Sequence, residues 1–458
     1  MTTKKVLVVD DSAFMRTIIS DLIIQDHSFE IIGTASNGVD AVHKVMELKP
    51  DAVTLDVEMP IQNGLVALQS IMTDCPTPVI MLSSLTEEGR SETLSALEYG
   101  AFDFVCKPSP AGGTKDIHKV GEMLREKLHT AIASQERKRQ LERLREQGER
   151  LKREYAAALP TEELVPRPPH QSGLKSRTDD GNKLRAKSPI TSRAAAKLAA
   201  KEMQTQRSME DTPIIGDTPI IGRTRAGKPV APNANEELHP NHEERLDVTH
   251  LNASEFVGTA NAANSTRFEQ IVAIGTSTGG PRALKELLSA LPKHIPAPIL
   301  VVQHMPPNFT KSLAERLNNY SDIEVREAQH GDVLQTGVAY IAPGGMHMMA
   351  VRNAEGNYSI ALSKGEPRNG HRPSVDSLFE SLLPLKGLKR HIVLLTGMGS
   401  DGAKMMKRLA DEGVTSTFVE SEESCVVFGM PRAAIELGCV SQVIPLHQMA
   451  KSITHAMK

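Results

Sequence analysis

The sequence predicts an α/β protein: two doubly wound, mostly parallel sheets joined by a long low-complexity stretch. Three observations carry that expectation. Continuous apolar runs of strand length alternate with helical stretches over residues 1–130 and again over 267–458, the signature of strands covered on both faces. Acidic, hydroxyl or histidine residues follow several of those runs directly, where an open parallel sheet presents its ligand site. Residues 131–266 break the rhythm and are rich in Ala, Pro, Thr, Asn and charge.

In chain order, VLVV (6–9), DAVTL (51–55), PVIML (78–82) and FDFV (102–105) read as parallel strands with helices between them. From about 114 to 150 the pattern is helical and ends highly charged. That end predicts an exposed helix extension supported by i,i+4 charge pairs. Between 136 and 266 the only aromatics are Tyr155 and Phe256, and DTPIIG at 211–216 is repeated at 217–222. Such a stretch buries too little apolar surface to offset its ordering entropy, so 131–266 reads as helical extension and linker. Strong strands return with IVAIG (271–275), PILVVQH (298–304), VAYIAPG (338–344), HIVLLTG (391–397) and TSTFVE (415–420), and PRALKELLSAL (281–291) is a helix among them.

Composition excludes several classes. At 458 residues the length prior is about three domains, yet ten Phe, five Tyr and no Trp are thin for three cores. A formal net charge of −3 argues against a protein that coats nucleic acid. Four dispersed cysteines (Cys75, Cys106, Cys425, Cys439) form no CxxC pair, so neither a zinc site nor a disulfide framework is expected. The N-terminus lacks the apolar core of an export signal and no run approaches a membrane span, so membrane insertion is not expected.

Asp10 and Asp11 follow the first strand, Asp56 the strand at 51–55, and Lys107 the strand at 102–105. Topology therefore brings three carboxylates and one lysine to one sheet edge. Clustered carboxylates resist ionisation unless a cation joins them, and a hard cation such as Mg²⁺ with oxygen ligands fits. One carboxylate is then placed to attack a phosphoryl group, with the metal, the lysine and the Ser83 hydroxyl on the equatorial oxygens. Residues 4–127 resemble the response-regulator receiver domain in DD at 10–11, D at 56, the hydroxyl at 83 and KP at 107–108. The resemblance implies a flavodoxin-like (βα)5 fold and Asp56 as phosphoacceptor from a histidine kinase. It also implies Mg²⁺ on Asp10, Asp11, Asp56 and the Glu58 backbone carbonyl, and Phe104 as the aromatic that changes rotamer on activation.

In the second folded part, VAI (272–274) leads into Gly275-Thr276-Ser277-Thr278-Gly279-Gly280, and a helix begins near Pro281. This is G-x-S-x-G in its strand–turn–helix setting, where a sharp turn exposes a hydroxyl beside unpaired helix N–H groups. A Gly-rich phosphate loop or a plain turn is the alternative, although GK[ST] is missing. His304 ends one strand and Asp401 lies just past another, so serine, base and base-orienting carboxylate converge on one edge. Gly397, Gly399 and Gly402, with Glu420 about twenty residues on, also spell a dinucleotide fingerprint. That reading leaves Ser277 and His304 unexplained.

Residues 270–453 resemble the chemotaxis methylesterase family, also called protein-glutamate methylesterase/protein-glutamine glutaminase. The matching motifs are IGTSTGGP (274–281), QHMP (303–306), APGGMHM (342–348), HRPSVDSLF (371–379) and TGMGSDGA (396–403). The resemblance implies Ser277 as nucleophile, His304 as base and acid, Asp401 as its orienter, Thr278 as the active-site threonine and the Met398 backbone N–H as an oxyanion donor, with no cofactor at that site. It implies a cytoplasmic enzyme recruited to chemoreceptor arrays. Its phosphodonor is the chemotaxis histidine kinase, its substrates are methyl-accepting chemoreceptors, and its receiver covers the Ser277 face at rest. The linker is far longer than the few tens of residues of most members. A receiver-linked scaffold is the rival class, and it would tolerate loss of Ser277 or His304.

Overall fold

The computed structural model describes residues 3–84, 86–108, 113–158, 268–353 and 355–458. The linker reading, including the DTPIIG repeat, lies outside the described residues.

The first sheet is built from β1 (Lys4–Val9), β2 (Phe29–Ala35), β3 (Ala52–Asp56), β4 (Val79–Ser83) and β5 (Asp103–Cys106), in the order β2-β1-β3-β4-β5. Every pair is parallel. This is the flavodoxin-like order, with its switch point between β1 and β3. The helices are α1 (Ala13–Ile24), α2 (Gly38–Leu48), α3 (Gly64–Asp74), α4 (Glu87–Glu98) and α5 (Gly113–Ala158). Ser12, Asn37, Asn63 and Thr86 start the first four, each side chain accepting the N–H three residues on. These caps stop each strand-to-helix connection short of the helix and leave the strand ends open as a ligand edge.

The charged end of α5 makes the expected i,i+4 pairs, Arg145–Glu149 and Arg150–Glu154. Its middle is more than an exposed extension. Ser134 Oγ donates to the Val426 carbonyl at 2.5 Å, and Arg137 pairs with Glu422. Leu128 and Ile132 share an apolar cluster with Val427.

The second sheet contains β6 (Gln270–Thr276), β7 (Ile299–Gln303), β8 (Glu324–Glu327), β9 (Val338–Ile341), β12 (Lys389–Leu394), β13 (Ser416–Glu420) and β14 (Gln442–Ile444). Its order is β14-β13-β12-β6-β7-β9-β8, parallel throughout. A separate antiparallel ribbon pairs β10 (His347–Arg352) with β11 (Tyr358–Ser363). The helices are α6 (Gly280–Ser289), α7 (Phe309–Tyr320), α8 (Val375–Ser381), α9 (Ala403–Asp411), α10 (Met430–Glu436) and α11 (Leu446–Ala456). The chain leaves β6 toward β7 on one side and returns to β12 on the other, which places the switch point at the ends of β6, β7 and β12.

Apolar runs located the central strands. The sequence reading did not identify β2, β8, β10, β11 and β14. These are sheet edges or a two-stranded ribbon, short or polar on one face, where apolar content is low.

Candidate functional site

At the edge of the first sheet, Asp10 and Asp56 are buried and Asp11 is exposed. Their ligand oxygens all lie within 4.8 Å of one another. Lys107 Nζ stands 2.8 Å from Asp10 Oδ2 and 2.7 Å from Asp56 Oδ2. Burial raises the Asp56 carboxyl to about 6, against the pull of Lys107 and with a push from Asp10. An all-oxygen donor set of this charge and spacing fits Mg²⁺. Asp10, Asp11 and Asp56 would hold the ion, which supplies positive charge beside a phosphoryl group. Ser83 ends β4, and its hydrogen bonds run within its own strand-to-helix connection. Its hydroxyl lies 2.6 Å from Thr93 Oγ1 and donates to the Ser84 carbonyl. The Glu58 carboxylate accepts from Ser84 and Thr86.

In the second sheet, Ser277 follows β6, His304 follows β7 and Asp401 lies beyond β12. The turn after β6 requires glycine twice. Gly279 has φ +80°, and a Cβ on Gly280 would sit 1.9 Å from Gln303 Oε1. Gln303 Nε2 donates to the Ser277 carbonyl at 3.0 Å, which ties the turn to β7.

Asp401 is the most heavily bonded carboxylate of this edge. It accepts from Asn369 Nδ2 (2.7 Å), Ser374 Oγ (2.9 Å), the Val375 N–H (2.7 Å) and the Asp376 N–H (3.2 Å). Its Oδ2 lies 2.8 Å from His304 Nε2. Burial alone would raise its pKa, but the His304 contact and these donors hold it well below the usual carboxylate range. Asp376 returns the arrangement by accepting the Gly402 and Met405 N–H groups at the start of α9. Each aspartate thus satisfies the backbone at the start of the other's helix.

An ionised Asp401 needs a donor, so His304 Nε2 carries the proton and Nδ1 the lone pair. Nδ1 is buried and has no hydrogen-bond partner among the described residues. Among the described residues, no hydrogen bond joins the Ser277 hydroxyl to His304. His371 stacks flat on His304, ring centroids 3.7 Å apart and planes 7° apart. Burial, then the neighbouring His304, lowers the His371 imidazole to about 4, so it is neutral near pH 7. The Met398 N–H has no acceptor among the described residues and sits in the loop that follows β12.

The Ser277 edge is also in contact with the first sheet's face. Thr278 Oγ1 donates to Asp103 Oδ2 at 2.5 Å, and Asp103 pairs with Lys127. Phe104 stacks on Phe309, centroids 4.7 Å apart. Glu98 on α4 accepts from Arg316 Nε (2.5 Å) and Nη2 (3.0 Å) and from Lys285 (3.0 Å). Ser277 itself is 9% exposed.

Sequence reasoning missed Asn369, Ser374, Asp376, His371, Gln303, Asp103 and Glu98. HRPSVD marked part of this group as a motif without assigning roles within it. Glu420, the acidic residue of the dinucleotide fingerprint, is turned inward onto the Thr396 N–H at 2.8 Å and is fully buried. A ribose contact would have to break that bond.

Two family profiles match the chain: CheB methylesterase over residues 272–453, and response regulator receiver domain over 6–117. The protein-glutamate methylesterase/protein-glutamine glutaminase of Geobacillus kaustophilus is 40% identical over 454 residues, covering 99% of this chain and 98% of that protein. The protein of the same description from Halalkalibacterium halodurans is 37% identical over 454 residues, with the same coverage. The crystal structure of the Thermotoga maritima CheB methylesterase catalytic domain is 41% identical, with a TM-score of 0.40, covering 41% of this chain and 99% of that one. The two full-length relatives run beside the chain almost end to end.

Proposed function

The chain belongs to the CheB-type protein-glutamate methylesterase family and carries a response-regulator receiver domain, and from that premise we propose that it demethylates and deamidates chemoreceptors under phosphorylation control. Its substrates in this reading are glutamate methyl esters and certain glutamines of methyl-accepting chemoreceptors, in sensory adaptation. The receiver takes residues 1–130, the hydrolase 267–458, and 131–266 connects them. The protein works in the cytoplasm at receptor arrays. Among the described residues no helix is long and apolar enough to cross a membrane.

The observation that carries the reading is the His304–Asp401 pair, fixed by four further donors beside Ser277. The Ser277 hydroxyl attacks the γ-carbonyl while His304 Nδ1 takes its proton, and Asp401 steadies the resulting imidazolium through Nε2. The Met398 N–H and the N–H groups of the Gly279 turn receive the oxyanion, each typically worth about 3–4 kcal/mol. His304 returns the proton to methoxide or ammonia as it leaves. Water then attacks the glutamyl-serine ester, with His304 again taking and returning the proton. Ester and amide pass through the same tetrahedral states, so one site serves both.

Asp56 is the phosphoacceptor, and the chemotaxis histidine kinase is its donor. Lys107 neutralises phosphoryl oxygens. The Glu58 backbone carbonyl would join the three aspartates in holding Mg²⁺, which would supply charge neutralisation. Ser83 must leave Thr93 to reach the phosphoryl group, and Phe104 must leave Phe309 to change rotamer. The unphosphorylated receiver blocks the site through Asp103, Phe104 and Glu98, and phosphorylation favours the released arrangement.

The test is methanol release from methylated receptor membranes, with and without a small acyl phosphate as phosphodonor. Ser277→Ala should lose nearly all release. Retained release in that variant would overturn the triad.

A further inference from the structure

Thr396, between β12 and the Met398 donor, bonds to all three residues of the nucleophile turn. Its carbonyl accepts the Ser277 N–H at 3.0 Å and the Thr276 hydroxyl at 3.0 Å. Its own hydroxyl donates to the Thr278 carbonyl at 2.9 Å and accepts the Val427 N–H at 2.9 Å. Its N–H donates to Glu420 Oε2. Both side chains are buried, Thr396 at 1% and Glu420 at 0% exposure. The next residue completes the close approach, because a Cβ on Gly397 would stand 2.9 Å from Ser277 Cβ.

Burying an acidic side chain is costly, and burial raises the Glu420 carboxyl although the Thr396 N–H, Ser424 and Cys425 pull it down. Its Oε2 accepts one backbone N–H. That N–H belongs to the residue that joins the nucleophile turn to the oxyanion loop.

We infer that Thr396 and Glu420 are positioning residues of the hydrolytic site, clamping the Ser277 turn against the Met398 loop. The clamp touches no substrate. Glu420 fixes the peptide plane before Thr396, and Thr396 fixes the heights of residues 276–278 relative to residue 398. Attack and oxyanion stabilisation require those heights to match, and an error of about 1 Å costs on the order of 10²-fold in rate. This rests on the hydrolase reading above.

The test uses the full chain, activated with a small acyl phosphate, and measures kcat and KM for methanol release beside thermal melting. Thr396→Val, which keeps the shape and removes the hydroxyl, should lower kcat about 10- to 100-fold with KM within about twofold. Thr396→Ser should restore kcat to within about threefold. Glu420→Gln keeps an acceptor for the Thr396 N–H and should stay near the parent rate, whereas Glu420→Leu should fall as far as Thr396→Val. Unchanged kcat in folded Thr396→Val, or failure of Thr396→Ser to recover it, would overturn the inference. If Thr396→Val does not fold, the Glu420→Gln and Glu420→Leu pair decides: equal rates in these two would overturn it. Retained release in Ser277→Ala would instead sink the hydrolase reading itself, so the two failures are separate.

Discussion

Glu98 offers a direct way to weigh the receiver's hold on the hydrolase. It sits on α4, far in sequence from its two partners, and receives three hydrogen bonds from Arg316 and Lys285. Its side chain is 16% exposed, those of Arg316 and Lys285 26% and 34%. Burial raises the Glu98 carboxyl, but the two cations outweigh this and hold it below its ordinary range. Truncating one member of such an interfacial pair costs about 2–5 kcal/mol. The low end applies here because both cations regain water when the faces part. About 2 kcal/mol is roughly 30-fold in the closed-to-open ratio. A resting population that is about 1% open would become about 20% open in Glu98→Ala. Basal methanol release should therefore rise about 20-fold without a phosphodonor, while further stimulation by the donor shrinks to about fivefold. Neither Glu98 nor its partners belongs to the triad, so the fully activated rate should match the parent. An unchanged basal rate in folded protein would refute the reasoning. So would an equal rise in basal and activated rates, which would signal altered chemistry rather than release.

Three other expectations follow from the same geometry. Asp401→Asn should reduce kcat by about 10³- to 10⁴-fold, because an amide no longer fixes Nε2 as the protonated nitrogen of His304; a titration of kcat against a melting curve separates this from lost helix capping. Chelation of divalent cations should abolish stimulation by an acyl phosphate yet leave basal methanol release untouched, since the metal belongs to Asp10, Asp11 and Asp56 and not to the Ser277 edge. His391 is fully buried, and burial followed by Lys389 lowers its imidazole from 6.5 to about 4. The unfolded chain therefore binds the extra proton in that window, and stability present above pH 6.5 is lost as pH falls toward 4. The loss is of order 3 kcal/mol. Melting temperatures of His391→Asn should fall less steeply with acid than those of the parent, and an identical slope would contradict the assignment.

The sequence exposed what repeats or punctuates. VLVV, IVAIG and HIVLLTG announced central strands because both sheet faces need apolar cover. Ser277, His304 and Asp401 stood out because each lies at or shortly past the end of such a strand. The supporting shell was not legible. Asn369, Ser374, Thr396 and Glu420 are ordinary polar residues whose partners lie 24–118 residues away, and no local pattern predicts a meeting at that separation. The orientation of the His304 ring was likewise invisible, since it depends on which nitrogen the buried Asp401 receives. The middle of α5 looked like a solvated helix because its charges dominate, while the contacts of Ser134 and Arg137 rest on two side chains.

One contact carries a consequence for how the receiver inhibits. The proposed reaction leaves a glutamate carboxylate beside the nucleophile. The Asp103 carboxylate accepts the hydroxyl of Thr278, next in the chain to Ser277. Under the proposed occlusion, the closed enzyme would thus hold a receiver carboxylate near the place where its product acid forms. Inhibition of that kind is competitive in form, so concentrated, densely methylated receptor clusters would themselves help to displace the receiver.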